Sequence, residues 1–355
     1  MKKLFLSIIA LVGTVSASAQ LSDGVTATLQ NGETTTVFYG SDSFKNAVAS
    51  APDEGGVITL SPGAFANPGV ISKSLKLYGA GFLKDEANNI SETRVIGDFT
   101  ITSTDEIAPV VRAEGVYFTG NVVVKGTKLV ANTEIVKCSF ARFYNSVETQ
   151  STILRQCYVR EAIYGEDKLA TAFLVANCWV PCIQGFTTAC DITVDHCILS
   201  GNTWHSYALY RNNLIYRYYY NWEDRKQVGS GSTCYNNIGH QYCLERDGDT
   251  TCKDNYYISN NWGDILADKQ GDLSFFVSET TTPRTWFLID DDGDLTTPYT
   301  GTYKGTDGTP CGVTGGDFPW NPIPATPRIL STSVDAKTTP GTLKVSIKAE
   351  ARPLE

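Results

Sequence analysis

No long stretch of this chain carries the 3.6-residue apolar period of packed amphipathic helices, which excludes a helical bundle. After Gln20 no segment is apolar for long enough to cross a bilayer, so no membrane span is expected. Basic residues are scarce, 29 Lys and Arg against 38 Asp and Glu, and the formal charge of −9 argues against nucleic acid or an anionic membrane as partner. An acidic polysaccharide would need a local basic patch. No cysteine follows the leading apolar run, so no lipid anchor is expected either.

That leading run, MKKLFLSIIALVGTVSASAQ, joins Lys2 and Lys3 to an apolar stretch and then to Ala17-Ser18-Ala19, the pattern of a cleavable export signal. Residues 1–19 are therefore expected to be removed, and the protein to be periplasmic or extracellular and monomeric. Ten cysteines in an exported protein would ordinarily point to disulfides. Their spacing points elsewhere. Seven stretches, IVKCSF, LRQCYV, VANCWV, TVDHCIL, YRNNLIY, CYNNIG and CKDNYYI, align on Cys138, Cys157, Cys178, Cys197, Asn213, Asn237 and Asn255. Three positions earlier stand Ile135, Leu154, Val175, Val194, Tyr210, Cys234 and Cys252, and two positions later Phe140, Val159, Val180, Leu199, Ile215, Gly239 and Tyr257.

The offset between those two largely apolar columns is odd, so one flat strand could not turn both inward. The chain must turn a corner between them. The corner position holds Lys137, Gln156, Asn177, His196, Asn212, Asn236 and Asp254, mostly side chains that tolerate left-handed backbone angles or bond local backbone groups. A repeat of roughly 20 residues built as strand, corner and strand is a solenoid coil, which buries its apolar face only by stacking on the next coil. In that register Cys138, Cys157, Cys178 and Cys197 form a buried column of mostly unpaired thiols, since stacked Cβ vectors are parallel and suit a disulfide poorly.

Leu21 to Tyr39 reads as one leading strand, and SDSFKNAVASAPDEGG as a short capping helix with Ser41 or Asp42 at its start, Phe44, Ala47 and Val48 on its apolar face and Pro52 at its end. Next come VITLSPGAF and ISKSLKLYGAGF, strand-like runs broken at Gly and Pro. The stretch resembles the opening of the right-handed parallel β-helices of the pectin lyase-like superfamily, and the resemblance runs from about Phe38 to Ile258. It implies an all-β, right-handed parallel β-helix over residues 20–325; PRILSTSVDAK and TLKVSIKAEAR in 326–355 read as a β-hairpin that packs on the solenoid or starts a small β module. The segment before that hairpin, from Trp286 to Pro327, is rich in Gly, Pro, Thr and Asp and reads as long turns.

Two functional readings follow. DITVDHCILS resembles a segment of pectate lyases, which carries Asp195 and His196 into a lyase reading with Arg225 or Lys226 as the base; calcium would neutralise the substrate carboxylate. The acids that should follow are absent, Gly201-Asn202-Thr203 standing there, so no metal site and no cofactor is expected; in VDHC, Val194 and Cys197 also serve a purely structural role. The nucleophilic aspartate of the related pectin methylesterases is unmatched too. Asp290, Asp292 and Asp294 have the spacing of a calcium loop, but Leu295 and Gly301 stand where its Gly and Glu belong. The favoured reading is binding of an extended polysaccharide by the aromatic stretch Trp204, His205, Tyr218, Tyr220 and Trp222 with Asp224 and Arg225, since Tyr and Trp rings are flat apolar surfaces with a polar edge. The third reading is a structural or adhesive surface protein.

Overall fold

A computed structural model describes residues 24–86, 88–200, 207–216, 231–240, 251–253, 256–257, 269–270, 304–325, 327–334 and 345–350. Among them the chain is a parallel β-solenoid with one helix. A representative coil runs along strand Ile153–Arg155, turns at Gln156, continues as Tyr158–Tyr164, turns again at Glu166 and Asp167, crosses as Ala170–Thr171, turns at Ala172 and enters the next coil as Phe173–Ala176. Each strand pairs in parallel with its counterpart one coil on, as in Leu154 opposite Val175 and Val175 opposite Val194. Repetition builds a sheet of twelve strands, a second of fifteen and a narrow third of three.

The odd-offset corner is where the sequence puts it. Lys137, Gln156, Asn177, His196, Asn212 and Asn236 all adopt left-handed backbone angles, φ 48–58°; Asp254 lies outside the described residues. The column also extends one coil earlier, to Gly115 at φ 72°. With the corner in place, both apolar columns turn inward: Ile135, Leu154, Val175, Val194, Tyr210 and Cys234 on one side, and Phe140, Val159, Val180 and Leu199 on the other, are fully buried. Phenyl rings fill the space between the sheets, Phe99 stacked on Phe118 at 4.8 Å and Phe173 edge-on to Phe143 and Phe186.

Cys138, Cys157, Cys178 and Cys197 are buried, free and stacked on successive coils. The column is not purely apolar. Each sulfur donates to backbone carbonyls, Cys178 Sγ to Ala176 O at 3.2 Å and Leu154 O at 3.4 Å, and Cys178 Sγ accepts from Cys157 N at 3.3 Å. Burial pushes the thiols of Cys138, Cys157 and Cys178 well above their ordinary value. Where the column becomes Asn213 and Asn237, amides take over: Asn213 Oδ1 accepts from Cys197 N, Asn237 Oδ1 from Asn213 N and Asn213 Nδ2, and the two amides donate to Val194 O and Tyr210 O.

Two N-terminal expectations change. The single leading strand is a hairpin, Thr26–Asn31 antiparallel to Thr34–Tyr39, because Gly32-Glu33 supplies a two-residue turn with Gly32, its first central residue, at φ 56°. The capping helix spans Ser43–Ser50 and buries Phe44, Ala47 and Val48, but Asp42 at its N-cap makes no side-chain capping bond. At the other end Arg328–Val334 and Val345–Glu350 pair as the expected antiparallel hairpin.

The larger difference lies in residues 304–325, part of the segment expected as long turns. They form a strap along the solenoid, running antiparallel to the order of the coils, and it lies on the corner column. Asn236 Nδ2 donates to Lys304 O, Asn212 Nδ2 to Thr306 Oγ1, Asn177 Nδ2 to Val313 O and Gly315 O, Gln156 Nε2 to Pro319 O and Lys137 Nζ to Ile323 O. One coil further, Glu114 Oε1 accepts from Ala325 N, and Gly115 leaves room for Pro324, which a Cβ there would meet at 2.8 Å. Phe318 lies under the Arg155 guanidinium and Trp320 meets Phe82 edge-on.

Candidate functional site

Asp195 and His196 sit beneath the strap. His196 is 2 % exposed, with Nδ1 2.9 Å from Asp195 Oδ1 and Nε2 3.2 Å from Thr309 Oγ1. Asp195 accepts from Asn212 Nδ2 on one oxygen and from Arg211 Nε and Nη2 on the other. Burial alone would raise the Asp195 carboxyl; His196 and Arg211 outweigh it and hold the group below its ordinary 3.8. Thr309 Oγ1 also donates to Asp307 and accepts from Gly316 N, and a side chain at Gly316 would strike the imidazole. His196 is thus held between Asp195 and the strap, and Asp195 holds His196, Arg211 and Asn212. Trp204, His205, Tyr218, Tyr220, Trp222, Asp224, Arg225 and Lys226 lie outside the described residues, as do Asp290, Asp292 and Asp294. Among the described residues no three His, Cys, Asp or Glu side chains converge to hold a metal ion.

A second surface emerges on the outer face of the fifteen-stranded sheet. In register across adjoining coils stand Arg94, Tyr117, Ser139, Tyr158 and Trp179. Alternation sends these side chains outward, since each precedes by one an inward apolar residue such as Phe118, Phe140, Val159 or Val180. The small Ser139 leaves a gap, and Arg160 fills it. Its guanidinium donates to Ser139 Oγ, Phe118 O and Thr119 O at 2.9–3.0 Å and lies 4.8 Å from the Tyr117 ring centroid. Arg94 approaches the same ring at 5.2 Å. Tyr158 and Trp179 follow, their rings 6.1 Å apart.

Charge separates Arg160 from its neighbours. Arg94 pairs with Glu92 and Arg142 with Glu161, whereas among the described residues Arg160 has no carboxylate within ion-pair distance. Burial pulls the Arg160 guanidinium below its ordinary value, and burial likewise pushes the Tyr158 hydroxyl up against a smaller opposing pull from Arg160. A flanking row repeats the chemistry, Tyr144 stacked on Tyr164 at 5.2 Å with Arg142 donating to the Tyr144 hydroxyl. Beyond Trp179 the row ends at Ile198 and Leu214, which are buried, Leu214 under Gly312 of the strap.

The result is a half-buried shelf of rings with a guanidinium set between them. It offers stacking faces and hydrogen-bond donors, and no nucleophile paired with a base. Its trace in the sequence is that Ser139, Tyr158 and Trp179 each follow the aligned cysteine directly. Comparisons with protein-family models, with curated proteins and with solved structures find no match to this chain.

Proposed function

We propose that this chain is an exported β-helix protein that binds an extended polysaccharide along the outer face of its fifteen-stranded sheet. The observation that carries the reading is the Tyr117–Arg160–Tyr158–Trp179 row, in which Arg160, with no carboxylate at ion-pair distance among the described residues, fills the coil between the Tyr117 ring and the adjacent Tyr158 and Trp179 rings. Sugar rings stack on such faces while their hydroxyls accept from the guanidinium. A solenoid presents the row lengthwise, which suits a chain-like ligand. The leader segment supports export. Nothing comparable supports lyase chemistry, since Asp195 is engaged by His196 and Arg211 and His196 contacts the strap.

The test is retention on immobilised neutral and uronic glycans by affinity electrophoresis. Tyr158→Ala and Tyr117→Ala are expected to weaken binding by about 1–3 kcal/mol each without lowering thermal stability by as much. Trp222→Ala is the comparator for the aromatic stretch first singled out in the sequence. Loss of retention in Trp222→Ala alone would move the site there, and a glycan bound equally by all three variants would contradict both surfaces.

A further inference from the structure

The N-terminal hairpin ends the twelve-stranded sheet, and among the described residues its outer strand, Thr34–Tyr39, has a strand on one side only. Natural sheets blunt such edges with charges, proline or bulges. This strand reads TTTVFY, with none of them. It is open to solvent: Tyr39 is 75 % and Val37 42 % exposed, and nothing lies within 4 Å of where a side chain would begin at Gly32 or Gly40.

The phase of the ladder fixes which backbone groups are free. Gly40 N donates to Val25 O at 2.9 Å, directly across the pair. Hydrogen-bonded pairs alternate along an antiparallel ladder, so Phe38, Thr36 and Thr34 turn their N–H and C=O toward Ala27, Leu29 and Asn31. Ser61 N donating to Thr26 O sets the same phase from the other side, leaving Thr26, Thr28 and Gln30 for strand Gly56–Leu60. Thr35, Val37 and Tyr39 therefore direct N–H and C=O outward.

We propose that this edge is a homodimerisation strand, in which two copies pair antiparallel about a two-fold axis through Val37. The occupant is a second copy because the edge is complementary to itself in that register. Val37 exchanges both bonds with the partner's Val37, and Thr35 exchanges both with the partner's Tyr39. Their side chains share one face, so each Tyr39 ring covers the partner's Thr35, a cross-strand pair that favours association. The nearest acid, Glu33, falls opposite the partner's Ser41, so no like charges meet. An isologous interface closes at two copies, which caps the exposed edge in place of the missing charges. A six-residue edge is small, which places the dimer among weak, concentration-dependent associations.

Sedimentation equilibrium of the purified protein over a concentration series tests this. The expected result is a mass that rises toward twice that of the chain, with association weakened at least about tenfold in Val37→Lys, which sets two cations opposite each other. Mixing Val37→Lys with Val37→Glu should restore it, since opposite charges then face across the axis. Val37 is exposed, so both variants keep the monomer's circular dichroism. A monomeric mass up to about 1 mM, or Val37→Lys and Val37→Glu chains that each self-associate as strongly as the parent, overturns the proposal.

Discussion

Two columns of left-handed residues run along this solenoid, and only one has its side chains under cover. Asn132, Ser151 and Ala172 form the column that follows the narrow sheet, at φ 50–58°, while Lys137 to Asn236 form the column between the two wide sheets, at φ 48–58°. The backbone demands on the two are the same. Asn132 and Ala172 are nonetheless exposed, whereas Gln156, Asn177, His196 and Asn212 are buried beneath residues 304–325. Where nothing covers the corner, even alanine serves. Where the strap covers it, every described position from Lys137 to Asn236 carries a nitrogen that reaches a strap atom. Left-handed geometry thus admits these residues, and the strap selects among them.

The difference can be broken most severely at Asn177. Asn177→Val puts a branched side chain at φ 50° and removes both donors from Val313 O and Gly315 O, for an expected loss of about 3–5 kcal/mol in urea-denaturation stability. A loss below about 1 kcal/mol would show that the strap carbonyls find other partners.

A smaller effect separates the columns by pH. The covered column contacts a carboxylate held below its ordinary 3.8, so Asp195 contributes stability that is present above that value and lost as pH falls through its lower folded-state value. Asp195→Asn should flatten the acid limb of the stability profile and cost about 1–3 kcal/mol near neutrality. An unchanged acid limb would remove Asp195 from the account.

The smallest effect has the opposite sign. Ala172→Gly relieves a left-handed alanine whose side-chain partner, Asp191, is bound through the backbone N–H that glycine keeps, and is expected to leave stability unchanged or raise it by up to about 1 kcal/mol. A clear destabilisation would mean that the open column is held by its side chains after all.

The coils were legible in the sequence because burial forces residue type at fixed spacing: Ile135, Leu154 and Val175 must be apolar, and Cys138, Cys157 and Cys178 must be small. The corner was legible from the odd offset between those columns. The strap was not, because it offers the corner mainly backbone carbonyls, those of Lys304, Val313, Gly315, Pro319 and Ile323, and any sequence carries these. Its only trace was a corner filled with Lys, Gln, Asn and His where glycine would be less strained. The hairpin turn at Gly32-Glu33 has its signal in Gly32 between two alternating runs. For the binding surface, Tyr158 and Trp179 stood next to the aligned cysteines, but the role of Arg160 depends on the gap above Ser139, which only the stacking of coils creates.

The pair Asn177→Gly and Ala172→Gly isolates the claim, since both replace a residue at φ 50° with one that finds that angle easy. The measurement is native-state hydrogen exchange of the strap amides, among them Gly312 N on Asn212 O and Ala325 N on Glu114 Oε1. Exchange at Gly312 at least about tenfold faster in Asn177→Gly, with Ala172→Gly matching the parent, is the expected result. Equal protection of the strap in both variants would contradict the conclusion that corner side chains hold it.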